Sequence, residues 1–145
     1  MEWAKYLAVV LTAMAPWGEE LIAIPLGIGL GLSTPVVAAI ALFFNYIPAL
    51  TISILFKFGQ NSPRLFRWLG KLRRERIKRI LDRYGLIGVV LVTPWLGVYT
   101  TVTTLEILEM NRTRLQLAVI TSLIIYAVIL TYTAHYGISL LKSMK

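Results

Sequence analysis

The chain has no cysteine, a single histidine and only seven acidic residues among its 145. The missing cysteine excludes disulfides, zinc–thiolate sites and thiol nucleophiles. The lone His135 cannot build a metal site by itself. No nucleophile–base pair, phosphate-cradling glycine loop or metal-spaced ligand set is present, so the sequence supports neither an enzyme nor a bound cofactor. Charge of any kind is scarce: 15% of residues are charged against 57% hydrophobic, and mean hydropathy is +0.72. That balance places the chain among integral membrane proteins, and its length allows one domain. Met1-Glu2-Trp3 puts no basic region ahead of the first apolar run, so that run is expected to be retained rather than cleaved.

The little charge present is concentrated. Ten basic and two acidic residues lie between Lys57 and Arg83, which accounts for the whole net charge of +8. A pI near 10.1 raises the question of nucleic acid, but this block lies between apolar segments. Juxtamembrane contact with anionic or phosphorylated lipid is the better expectation, with Arg73, Arg74, Arg76, Lys78 and Arg79 on head groups. The positive-inside rule makes the basic loop, residues 60–83, cytoplasmic in a multi-pass protein of the cell membrane.

One stretch stands out against the apolar background: Ala15-Pro16-Trp17-Gly18-Glu19-Glu20, running on to Ile24-Pro25. Across Val9 to Gly27, about eight strongly apolar residues return roughly 4 kcal/mol on insertion, against roughly 5–7 for two glutamates. A simple lipid-exposed span is therefore disfavoured. Pro16, Gly18 and Pro25 are expected to interrupt the helix, giving two half-length arms of a re-entrant hairpin. Ala23, Gly27 and Gly31 form a small-residue stripe that would let another helix approach closely. Ser33-Thr34-Pro35 then starts a helix, and Val36 to Phe56 is an uninterrupted apolar run long enough to span, with Asn45 and Pro48 inside it. The basic segment that follows reads as two short amphipathic helices joined near Gly70.

From Arg83 the pattern begins again. Arg83-Tyr84 answers Lys5-Tyr6, Thr93-Pro94-Trp95 answers Ala15-Pro16-Trp17, and Leu108, Ala127 and Gly137 answer Leu30, Ala49 and Gly59, always 78 residues on (94 − 16). The chain reads as an internal duplication. Repeat 1 is 5–59, the basic amphipathic linker 60–82, and repeat 2 83–137, with breaks at Pro94 and Gly97, a cap near Asn111 and a long helix over Leu115–Tyr136. One hairpin and one span per unit make an odd number of crossings, which inverts the second unit. The fold class is thus all-α, an inverted repeat of re-entrant hairpin plus transmembrane helix.

The order Glu20-Leu21-x-x-Ile24-Pro25, Asn45-x-x-Pro48, a basic loop, Tyr84-Gly85 and Pro94-x-x-Gly97-x-x-Thr100 resembles the small multidrug export protein family, prokaryotic relatives of the DedA-like membrane proteins. Relatives usually carry arginine where this chain has Ile22, and their second break reads differently from Pro94-Trp95-Leu96-Gly97-Val98-Tyr99. The resemblance implies paired re-entrant hairpins, and either proton-coupled export or flipping of lipid phosphates. A non-transporting scaffold or bilayer-shaping protein that oligomerises through its helices, by way of the glycine stripe, is the alternative.

Candidate residues for a substrate or proton pathway are Glu19, Glu20, Asn45, Thr100, Glu106, Arg112 and Arg114. Glu20 matches the family motif and would accept a proton from a cavity; the other reading is that Glu19 and Glu20 cap the second arm, where negative charge is favoured. Glu106 is either a second polar group at depth or, with Glu109, a local partner for Arg112 and Arg114. Thr100, with Thr101, Thr103 and Thr104, could offer hydroxyls to a substrate or bond its own backbone. Protons, membrane lipids and further copies of the chain are the expected partners.

Overall fold

The computed structural model of the chain describes residues 2–16, 18–59, 63–64, 67 and 75–143. Among these there are six helices and no strand: α1 Glu2–Met14, α2 Glu19–Gly29, α3 Thr34–Gly59, α4 Glu75–Leu96, α5 Val98–Ile107 and α6 Arg112–Ser143. Contacts divide the chain into two units, Met1–Asn45 with Leu123–Lys145, and Tyr46–Ser122. The first unit therefore holds α1 and α2 and the second α4 and α5, each with the first part of one long helix and the last part of the other.

In the first unit, α1 packs against α2, and α2 turns back through residues 30–33 onto α3. Val9 and Ala13 of α1, Ala23, Ile24 and Ile28 of α2, Val37 and Ala41 of α3 and Ala127 of α6 close one buried cluster. Gly27 is what allows the approach: a Cβ there would lie 2.5 and 2.7 Å from the two methyls of Val37 and 3.0 Å from Val9 Cγ2. The expected small-residue stripe is thus consumed within the chain at Ala23 and Gly27, both buried, while Gly31 sits exposed in the turn at φ 79°.

In the second unit, residues 75–84 and 86–96 are two helices meeting at Gly85, whose φ of 63° bends the chain. Ile77 packs inward while Arg76 and Arg79 are exposed, and the outward basic face of this segment is present. Arg73, Arg74 and Gly70 lie outside the described residues. After a sharp turn at Gly97 (φ 89°), α5 runs to Ile107. Asn111 then caps α6: its Oδ1 accepts the Arg114 N–H at 3.3 Å. The helix continues past the expected Tyr136 to Ser143.

Two expected breaks are not breaks. The helix runs through Pro25 in α2 and through Pro94 in α4. Proline at 94 leaves the Val90 carbonyl without its helical donor, and the Ser122 hydroxyl donates to that carbonyl at 2.6 Å. The lost bond is replaced from α6, so the chain turns three residues later, at Gly97, where glycine tolerates positive φ. The first break falls where expected, at Pro16 and Gly18, with Trp17 outside the described residues.

The 78-residue spacing recurs in the folded chain. α3 begins at Thr34 and α6 at Arg112. Buried Glu20, Ala23, Ile24, Gly27 and Ile28 on α2 answer buried Val98, Thr101, Val102, Leu105 and Glu106 on α5. Both long helices are apolar enough to cross a bilayer, with mean hydropathy 2.0 over Thr34–Phe58 and 2.1 over Arg112–Gly137. Only 39% and 28% of their most apolar windows is buried, where the core helix of a soluble protein would be mostly covered. Phe43, Ile54, Phe58, Leu117, Ile124 and Ile129 lie on the outside, an apolar surface suited to lipid.

Candidate functional site: a buried carboxylate beside a helix break

α1 ends at Met14, and the Ala15 carbonyl accepts from both the Gly18 and Glu19 amides at 3.0 and 3.2 Å. A side chain at 18 would collide with the Thr12 carbonyl, 2.3 Å from the position of a Cβ, so the tight reversal needs glycine. Glu19 opens α2 at φ 42°, and it and Glu20 are buried at 5% and 1% exposure. Gly18, at the N-cap, contributes no side-chain bond.

Neither carboxylate oxygen of Glu20 has a hydrogen-bond partner, and the same holds for both polar atoms of Asn45, fully buried on α3. The helix register brings these two residues to one level. From the Gly27–Val37 contact, Glu20 lies seven residues back along α2 and Asn45 eight residues on along α3. At about 1.5 Å per residue these are descents of roughly 10.5 and 12 Å down antiparallel helices. Ala23 and Ala41, both in the buried cluster, occupy the level between. Glu20 and Asn45, the Glu20–Asn45 centre, thus stand at about one depth along the α2–α3 seam, next to the break after α1.

The remaining candidates fall in the second unit. Glu106 is 8% exposed; one oxygen lies 3.5 Å from Arg112 Nε, and Oε1 has no partner. Arg112 is therefore committed locally, and Arg114 is exposed. Thr100 donates to the carbonyls of Leu96 and Gly97, and Thr104 donates to that of Thr100 at 2.7 Å. These hydroxyls satisfy their own backbone, whereas Thr101 and Thr103 are buried with unpartnered oxygens.

Sequence reasoning passed over a third polar set. Tyr46 donates to Gln116 Oε1 at 2.7 Å, and Gln116 Nε2 donates to Ser53 at 2.8 Å, tying α3 to α6. The available signal was a glutamine within an apolar span, which demands a partner. Counted on by the same spacing as between Pro16 and Pro94, the residue answering Glu20 is Val98, so no second carboxylate stands there.

The Glu20–Asn45 centre lies on apolar helices whose outer faces suit lipid. No curated protein and no solved structure matches the chain. A family profile described as "Putative small multi-drug export protein" matches residues 19–129, from the two glutamates to well into α6. That is more than half of the chain, which is a membrane protein belonging to the small multi-drug export protein family.

Proposed function

We propose that the chain is a small membrane transporter that couples export to protons, with Glu20 as the coupling group. The observation that carries this is the fully buried Glu20 carboxylate, without a partner, beside a helix break and level with Asn45. An ionised carboxylate so placed is costly, and taking up a proton removes the charge. A protein keeps such a group where its charging and discharging are used. In this reading α1–α2 and residues 86–107 are re-entrant hairpins, too short as single helices at 13 and 11 residues to cross about 30 Å of hydrocarbon. They belong to two repeats of inverted topology in the cell membrane, with the basic loop cytoplasmic and on anionic lipid. The chain performs no covalent chemistry, uses no cofactor and assembles with further copies of itself.

The scaffold alternative relied on the glycine stripe for assembly, and that stripe is used internally against Val37 and Val9. Transport therefore has the better support. The test is reconstitution of the full chain in vesicles with an imposed proton gradient, following a lipophilic cation and a phosphorylated lipid in parallel. Gradient-driven movement of the cation, lost in Glu20→Gln and largely kept in Glu19→Gln, is expected. Movement of the lipid alone would replace export by flipping. Movement of neither by the unaltered chain would sink the transporter reading and leave the scaffold.

A further inference from the structure

The Glu20–Asn45 centre has the chemistry of a cation site. Three of its four unpartnered buried atoms are oxygens: Glu20 Oε1 and Oε2, and Asn45 Oδ1. A fourth oxygen is close in sequence, since Pro48 has no N–H and leaves the Phe44 carbonyl without its usual helical donor. The backbone favours the same charge arrangement. α2 presents its N-terminus to Glu20, which favours the carboxylate as an anion, while α1 ends at Met14 and turns its electronegative end toward the break. Broken helices that combine a polar side chain with a half-helix C-terminus are the membrane setting in which small monovalent cations are bound.

Among the described residues of this unit, no protein cation is placed to serve instead. Among the described residues packed around Glu20, α1 contributes Lys5, near the far end of the helix and paired with Glu2 at 3.1 Å. α2 contributes only Glu19, and residues 34–45 of α3 carry no charge. The part of α6 in this unit contributes His135, exposed and 3.4 Å from Thr34 at the opposite end of α3. The unpartnered oxygens supply a single carboxylate, that of Glu20, which suits one positive charge. The seam is narrow, with Ala23 and Ala41 at the next level.

We infer that the Glu20–Asn45 centre is a sodium site at which Na+ and H+ compete, so that the coupling ion of this transporter is Na+ as well as H+. The inference rests on Glu20 being the coupling group and names the ion that it exchanges for its proton.

Equilibrium binding of radiolabelled Na+ to the purified full-length protein in lipid nanodiscs, with K+ and choline as competitors, tests it. Expected is saturable binding at alkaline pH, not displaced by choline, falling as pH is lowered and absent in Glu20→Gln. Asn45→Leu should bind about tenfold more weakly, having lost one oxygen. Glu20→Asp keeps the charge and should bind, which shows that loss in Glu20→Gln is not misfolding. Binding in the unaltered protein that does not saturate or that choline or K+ displaces equally well, or full binding in Glu20→Gln, overturns the inference. If Na+ does not bind while proton-driven export persists and needs Glu20, the sodium site falls and the transporter stands. If Na+ binds but neither transport probe moves, the site stands and the transporter falls.

Discussion

Substituting Gly27 by alanine probes the seam that sets Glu20 and Asn45 at one level. The added Cβ would sit 2.5 and 2.7 Å from the Val37 methyls. Comfortable carbon–carbon separation is about 3.5–4.0 Å, so roughly 1 Å must be recovered by moving helices or forcing Val37 off its rotamer. Overpacking of this kind costs about 1–3 kcal/mol, against about 1 kcal/mol gained because alanine is the better helix former. The single variant should lose stability. Val37→Ala alone should lose about 1–3 kcal/mol, from two lost methyls and the space they leave. With Val37 already alanine, however, the two closest obstructions are gone, and the remaining 3.0 Å approach to Val9 Cγ2 offsets only part of the helix-propensity gain. Gly27→Ala should then be stabilising, by less than the roughly 1 kcal/mol of the propensity gain alone.

Thermal unfolding of the four proteins in one detergent reads this out, at roughly 2–4 °C per kcal/mol for a chain of this size. A change of sign between the two backgrounds is the expected result. Equal losses in both would mean that Gly27 and Val37 do not meet, and the level assigned to Glu20 and Asn45 would fall with that contact. Proton-driven export should also fall in Gly27→Ala and recover in the double variant, because α2 carries Glu20 two turns away.

Ser122→Ala strands the Val90 carbonyl and should cost about 1–3 kcal/mol, but be nearly neutral in Pro94→Ala, where the helical donor returns; equal cost in both backgrounds would refute the replacement bond. Introduced cysteines at Ser33 and Gly59 should label from opposite sides of sealed vesicles, and labelling from one side would remove the inverted repeat. Neutralising Arg76, Lys78 and Arg79 together should weaken binding to anionic vesicles by about 1 kcal/mol per residue, less at high salt; unchanged lipid binding with failed transport would move the segment into the mechanism.

The elements that rest on local chemistry were legible in the chain itself. The apolar run after Ser33-Thr34-Pro35 becomes α3, Asn111 caps α6, and Pro16-Gly18 ends α1. What was not legible depended on partners distant in sequence. Pro94 carries the usual penalty of an interior proline, and only a serine 32 residues away lets the helix pass. Pro94 was therefore misjudged because local rules cannot see the group that replaces the lost bond. Among the four clustered threonines, Thr100 and Thr104 bond their own backbone while Thr101 and Thr103 are buried with unpartnered hydroxyls, a division that residue type does not reveal. The candidate status of Glu20 and Asn45 could be read from residue type alone. Their shared level needed the Gly27–Val37 contact and the helix bounds.

Glu20 and Glu106 differ in a way that separates a group kept for function from one kept for the fold. Both are buried acids on the short helix leading to a long one, yet Glu20 stands in the first turn of its helix and Glu106 in the last turn of its own. Glu106 has Arg112 at 3.5 Å, and the arginine is 39% exposed, so water screens the pair. Glu106→Gln should cost about 0.5–1 kcal/mol. Glu20 has no such neighbour, and the fold must either hold its charge or keep it neutral. Replacing it by the equally shaped glutamine removes that requirement and should raise stability by about 1–2 kcal/mol while abolishing gradient-driven export. Opposite signs for these two glutamates, measured in one detergent without added sodium, are the expected outcome. A Glu20→Gln protein that is less stable than the unaltered chain would show that the carboxylate already has a stabilising partner, and its role as the coupling group would be withdrawn.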